Sequence, residues 1–153
     1  MLKWRSGCSS GTRASIAPLR TIVIAVGRLR PPFADDVAHY QKLLARHTRL
    51  ELIELREEER VPKRVPEDAF VCLLDSAGEA LDSVAFSEFL EQRRQSRRDL
   101  CFIVGGPHGL DLERANFKLS FGPATLPHQL ARVVLLEQLY RGHKILAGEP
   151  YHY

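Results

Sequence analysis

The chain has 153 residues, 44% of them hydrophobic and 27% charged. That suffices for one domain with a full core and is too little for two; it excludes a disordered or collagen-like chain, and no apolar run approaches the ~18–20 residues of a spanning helix. The formal net charge of +3 is uneven: residues 21–92 are net acidic and 93–153 net basic, so a phosphate-binding surface is expected on the C-terminal half.

Residues 1–19 combine Ser, Gly and Arg with no acid and no hydrophobic period, and read as an organelle transit peptide or a translated leader outside the domain of residues 20–153. Thr21-Ile-Val-Ile-Ala-Val26 is a β-branched run stopped by Gly27 and predicts a buried strand. Pro31-Pro32 opens a helix to about His47, with Val37, Tyr40, Leu43 and Leu44 on one face. Leu50–Leu55 predicts a second strand, and the charged stretch Glu57–Asp68, with Pro62 and Pro66, a loop. Phe70–Leu74 predicts a third strand and Asp75–Gly78 a turn. A helix carrying Phe86, Phe89 and Leu90 closes on the cluster Arg93, Arg94, Arg97 and Arg98. Leu100–Val104 predicts a fourth strand ended by Gly105-Gly106-Pro107, and Phe117–Phe121 a fifth. Pro127 sits at the first turn of a long helix to about Leu146. Short apolar strands alternating with amphipathic helices predict an α/β fold, a parallel sheet flanked by helices on both faces.

Such sheets bind ligands beyond the carboxyl ends of their strands. Three segments fall there: Leu74-Asp75, the loop Gly105–Gly109, and the loop Ser120–Pro127. The glycine loop reads as a strand-to-helix turn or as a ligand loop; it lacks a phosphate fingerprint and carries no Lys or Arg. Pro123 and Pro127 stiffen the second loop, whose free backbone groups suit the edge of a neutral heterocycle, while Pro127 and Thr125 equally serve as helix-entry residues.

The remaining reactive side chains suggest little chemistry of their own. Cys72 and Cys101 lie in apolar runs and read as buried thiols, Cys8 stands alone, and no metal-ligand spacing occurs, which favours a reducing cytosol. His39, His47 and His143 read as surface residues and His128 as structural. Tyr151 and His152 in the tail are of the type that stacks on a base and hydrogen-bonds its edge.

The run Phe102-Ile-Val-Gly-Gly-Pro-His-Gly-Leu110, the run from Leu119-Ser-Phe-Gly-Pro-Ala-Thr-Leu-Pro-His128 through Leu135-Leu-Glu-Gln-Leu-Tyr-Arg141, and Pro150-Tyr-His152 together resemble the ribosomal large-subunit methyltransferase H family. These are SPOUT-class enzymes that methylate N3 of a pseudouridine in 23S rRNA. The resemblance extends through Ile22–Gly27 and Leu74-Asp75. It implies a C-terminal trefoil knot, a cytoplasmic homodimer without metal or membrane partner, and 23S rRNA as substrate. It implies S-adenosylmethionine as cofactor, held by Leu74, Gly106, Gly122, Pro123, Ala124, Thr125, Leu126 and Pro127. Arg141, Tyr151 and His152 are the implied catalytic residues, with His152 a proton acceptor and the tail of one subunit reaching the cofactor of the other.

The chain also departs from that family. Glu57–Asp68 replaces a longer basic insert, Glu149 stands where the family carries His, and Tyr153 where it carries Arg; the usual acid or amide near His108 and the Trp near His143 are absent. These changes leave a second reading, a non-catalytic or retargeted RNA-binding dimer with the same fold.

Overall fold

The computed structural model describes residues 18–105 and 112–151. Five strands, β1 (Arg20–Val26), β2 (Arg49–Leu55), β3 (Phe70–Ala80), β4 (Leu100–Val104) and β5 (Phe117–Ser120), form one sheet in the order β2-β1-β4-β3-β5. Every pairing is parallel. Four helices accompany them: α1 (Phe33–Leu44), α2 (Val61–Arg64), α3 (Ser83–Ser96) and α4 (His128–Leu146).

The alternation of β1 shows why its strand has no polar face. Val23 and Ala25 join Cys72, Leu100, Phe102 and Val104 in a core beneath α1, α3 and α4, which contribute Val37, Leu44, Phe86, Leu90, Leu135, Leu136 and Leu139. Ile22, Ile24 and Val26 point the other way, with Val71, Leu73, Cys101 and Ile103, and are covered by Leu55, Val61, Val65, Ala69 and Leu112. Both faces are therefore dry, as parallel sheets require. Burial also suppresses the thiols, raising Cys101 to about 12 and Cys72 further.

Two expectations change. Glu57–Asp68 is not plain loop: it holds a 3-10 turn (Glu58–Arg60) and α2, whose Pro62 lies within the first turn, where a missing N–H costs nothing. Val61 and Val65 explain the fold-back, since they cap the second core. The turn expected at Asp75–Gly78 exists as an interruption inside β3: the Asp75 carboxylate accepts from Ala77 N at 2.9 Å, and Leu74 and Glu79 both come into register with Leu119. Gly78 lets this happen, because a Cβ there would sit 2.5 Å from the Lys118 carbonyl oxygen on β5.

Helix ends follow local chemistry. Asp82 caps α3 by accepting from Ala85 N at 2.7 Å, and Arg97 closes it in the left-handed conformation at φ 62°. At α4 the N-cap is Pro127 and, among the described residues, no side-chain cap hydrogen bond is made, so Thr125 does not cap the helix as expected.

Candidate functional site

The connections after β1 and β3 lead to α1 and α3 on one face of the sheet, whereas the chain leaving β4 reaches Leu112 and Ala115 on the other. Neighbouring strands whose connections part in this way open a crevice beyond their carboxyl ends. Ala25 is in register with Val104, and Leu73 with Ile103, so Gly27, Gly105 and Leu74-Asp75 arrive at the rim together. Gly106 lies outside the described residues.

The loop after β5 forms another wall. Gly122 has φ +112° and open space where a Cβ would stand. The Ser120 hydroxyl fastens it, accepting from Gly122 N at 3.0 Å and facing the Ser76 and Gly122 carbonyl oxygens at 3.1 and 3.0 Å. Beyond it Pro123, Ala124, Thr125 and Pro127 are exposed and Leu126 half-buried. Among the described residues nothing accepts from the N–H of Ala124, Thr125 or Leu126. A stiff loop with unspent amides and carbonyls, next to the half-buried apolar Leu74, fits a neutral purine and a thioether-like chain; it lacks the cations a polyphosphate needs. Among the described residues no group of His, Cys, Asp and Glu could hold a metal ion, and no helix is long and apolar enough to cross a membrane.

This wall is tied to β1 through residues the motifs did not flag. The His128 ring lies against Gly27, where an added Cβ would approach His128 Cε1 to 2.6 Å. Arg132 is buried; it pairs with Glu54 at 2.9 Å and donates to the Gly27 carbonyl oxygen at 2.5 Å. Arg30 N donates to Gln129 Oε1 at 2.6 Å and Leu29 N to Glu54 Oε2 at 3.0 Å. The first turn of α4 is thus clamped to the β1–α1 loop. Burial lowers the His128 pKa, with Arg132 and Arg30 adding to the effect. Nothing in the spacing of Glu54 and Arg132, 78 residues apart, announces this pair.

A second constellation occupies the far part of α4. Arg141 donates to Glu137 Oε2 from both Nη2, at 2.5 Å, and Nε, at 3.1 Å. Tyr151 Oη donates to the same oxygen at 2.7 Å, and the Arg141 guanidinium lies 4.1 Å from the centre of the Tyr151 ring. Burial works to raise the Glu137 pKa, but hydrogen bonds from Arg141, Tyr151 and Gln138 hold it below the usual range. Tyr151 is pushed up by burial and by that carboxylate, so it remains a donor. The structure therefore joins two of the expected catalytic residues and adds Glu137, whose i,i+4 spacing to Arg141 was a visible signal. His152 lies outside the described residues.

The two constellations do not meet. Arg141 is fourteen residues beyond Pro127, which at helical rise is about 21 Å. In one chain, the cofactor-type loop and the Arg141–Tyr151 pair occupy opposite ends of α4.

His143, expected at the surface, is buried instead. Its ring stacks on His47 with centroids 5.8 Å apart, and Nε2 has no partner among the described residues. Burial, with smaller contributions from His47 and Arg94, lowers its pKa to about 4. The unfolded chain thus takes up a proton near pH 6.5 that the fold refuses until about pH 4. Stability is full above the unfolded value and falls as pH drops through this window, by at most ~1.4 kcal/mol per pH unit. Denaturant titrations from pH 7.5 to 4.5 should show that slope in the native chain and a flatter one in His143→Gln.

The chain is similar to known proteins. A family model described as "Predicted SPOUT methyltransferase" matches residues 19–152. A protein of Gemmatimonas aurantiaca named "Ribosomal RNA large subunit methyltransferase H" is 39% identical, over 88% of this chain and 99% of its own. One of the same name from Acidiphilium cryptum is 42% identical, over 87% and 93%. A solved structure titled "Structural insights into the 2-OH methylation of C/U34 on tRNA" aligns with TM-score 0.49 at 18% identity, covering 87% of this chain and 100% of that one.

Proposed function

The chain belongs to the SPOUT methyltransferase family, within the group named ribosomal RNA large subunit methyltransferase H, and from that premise we propose that it methylates N3 of a pseudouridine in 23S rRNA. It is an S-adenosylmethionine-dependent rRNA methyltransferase. The structural observation that supports the reading best is the loop 122–127, where the N–H groups of Ala124, Thr125 and Leu126 are unspent among the described residues at the rim of the crevice.

S-adenosylmethionine, when bound, supplies an electrophilic methyl carbon. The loop Gly122 to Pro127, through the free backbone groups of Ala124, Thr125 and Leu126, would hold its adenine, and Leu74 and Gly106 are the further residues that would bind it. What remains for the protein is to orient the base and to take one proton from N3. Arg141, held by Glu137, faces the base carbonyls and steadies the negative charge that develops as N3–H is lost. Tyr151 stacks on the base and keeps its own proton, and His152 accepts the one from N3.

These roles require the loop and the tail at one reaction centre, and about 21 Å of helix separates them within a chain. The functional unit is accordingly a cytoplasmic homodimer in which the tail of one subunit completes the crevice of the other. On the same reading the segment from β4 onward is threaded as a trefoil knot. The domain includes Leu19, which the sequence reading left outside it: its side chain is buried in the core and its carbonyl oxygen accepts from Arg49 N at 3.0 Å.

Purified protein, given ribosomes from a strain lacking the endogenous enzyme, is expected to transfer labelled methyl to one large-subunit pseudouridine. Absence of transfer alongside intact heat of S-adenosylmethionine binding would instead support the non-catalytic reading, which the Lys144–Glu149 ion pair at the family's histidine position favours. Subunit sharing has its own test. Leu126→Arg, defective in cofactor binding, and Tyr151→Ala, defective in transfer, should each be nearly inactive alone. Mixed and allowed to exchange subunits, they should recover about a quarter of native activity, the fraction expected from random pairing with one intact site per mixed dimer. No recovery, in a sample shown to contain mixed dimers, would place both groups in the same chain.

A further inference from the structure

Two basic surfaces compete for the RNA, and they lie at opposite ends of the sheet. The one the charge distribution points to is the end of α3, and the structure shows three of its four arginines already employed, with Arg97 left exposed. Arg94 pairs with Glu91 at 2.6 Å, and Arg93 lies over the Phe70 ring at 4.0 Å. Arg98 donates to the carbonyl oxygens of Asp68 and Ala69, both at 3.0 Å. Being next to the start of β4, they stand at the amino ends of the strands, away from the crevice.

The β1–α1 loop is the opposite case. Its backbone is held at Gly27, Leu29 and Arg30: Gly27 N donates to Leu55 O at 2.8 Å, Leu29 N to Glu54 and Arg30 N to Gln129, while Arg132 holds the Gly27 carbonyl. Arg28 and Arg30 are nevertheless exposed, and among the described residues no carboxylate pairs with either, although Asp35 and Asp36 open α1 nearby. A rigid loop that spends its backbone on the fold and leaves two guanidinium groups in solvent carries little stabilising reason for those charges. Its position gives another reason. It follows β1, which borders β4 at the crevice, and touches His128 and Gln129 immediately after the cofactor-type loop.

We propose that Arg28 and Arg30 bind the phosphate backbone of the substrate RNA beside the target base, an inference that rests on the rRNA methyltransferase reading. Guanidinium groups on a fixed loop suit bidentate phosphate contacts. Because phosphate contacts position the RNA without reading its sequence, these residues set where the backbone lies while Tyr151 and Arg141 address the base.

The test is the double variant Arg28→Gln/Arg30→Gln in the full-length protein, beside Arg49→Gln/Arg97→Gln as a control from the amino ends. KM for large ribosomal subunits should rise about tenfold or more in the first, and the slope of log binding constant against log salt should shrink by about 1.5. Calorimetric affinity for S-adenosylmethionine, the dimer mass and kcat should stay within about twofold of native, and the control should keep the native slope. An unchanged slope in the first variant, or a reduced one only in the control, overturns the proposal, as does dissociation of the first variant into monomers. Filter binding of the native protein to subunits separates this from the parent reading: absence of both binding and transfer in the native chain removes the two together, whereas native binding with no loss in the variant removes only this one.

Discussion

Gly27→Val is expected to lower the melting temperature by about 10 °C and to weaken S-adenosylmethionine binding at least tenfold. Gly27 has φ +105°, a conformation that a β-branched residue rejects, and a Cβ there would press to 2.6 Å on His128. The ring has little freedom to retreat, because Pro127 precedes it and Gln129 and Arg132 are fastened to the β1–α1 loop. Backbone strain of about 1–2 kcal/mol and overpacking of about 1–3 kcal/mol together give roughly 3–4 kcal/mol, which in a domain of this size is on the order of 10 °C. The binding loss has a different origin: displacing His128 moves Pro127 and the loop that ends there. Thermal melts and calorimetry on the same sample separate the two effects. Destabilisation with unchanged affinity would show that the β1 turn does not control the loop.

Glu137→Ala is expected to do the reverse, cutting methyl transfer about 30- to 100-fold while cofactor affinity stays within twofold. One carboxylate oxygen receives both Arg141 and Tyr151, so its removal takes away the anchor shared by two groups that must face the base. Losing charge-assisted hydrogen bonds worth about 2–3 kcal/mol in orientation corresponds to that fall in rate. Glu137→Gln keeps an acceptor for Tyr151 but loses the ion pair, and should fall in between. Acid should mimic the mutation: the Glu137 pKa is held down by its partners, so the arrangement is intact above the ordinary carboxylate value and is lost as pH falls through the depressed one. Single-turnover rates in ribosomes, set against calorimetry, read both quantities. Equal losses in the two would mean that Glu137 supports the fold rather than the tail.

Most strands were legible because a parallel sheet covered on both faces needs continuous apolar runs. Leu100–Val104 matches its strand residue for residue, and Thr21–Val26 and Leu50–Leu55 fall one residue short of theirs. The misses have physical causes. Pro62 and the charges around it argue for a loop, yet Val61 and Val65 find an uncovered core and draw α2 down onto it. Asp75–Gly78 has turn composition and does turn, but β5 lies alongside and β3 resumes pairing at Glu79. His143 follows a glycine late in a helix and reads as solvent-facing, whereas Gly142 packs against Leu90 and draws that face of α4 onto α3. In the candidate site, the loop 122–127 and the tail were marked by their motifs. Arg132 and Glu54 were not, since a pair 78 residues apart has no local signature.

The order of apolar and polar residues alone determined that this chain forms a parallel sheet with helices, and its motifs determined which chemistry the family performs. Both are encoded over short stretches, in side-chain period and in residues adjacent along the chain. Tertiary structure alone decided that Gly27, His128, Glu54 and Arg132 form one clamp, that Arg28 and Arg30 stand at the crevice while the larger arginine cluster faces away, and that α4 holds the loop and the Arg141–Tyr151 pair apart. Those are relations between distant segments, set by which strand lies beside which and by the 1.5 Å rise of a helix, and no local pattern of residues carries them.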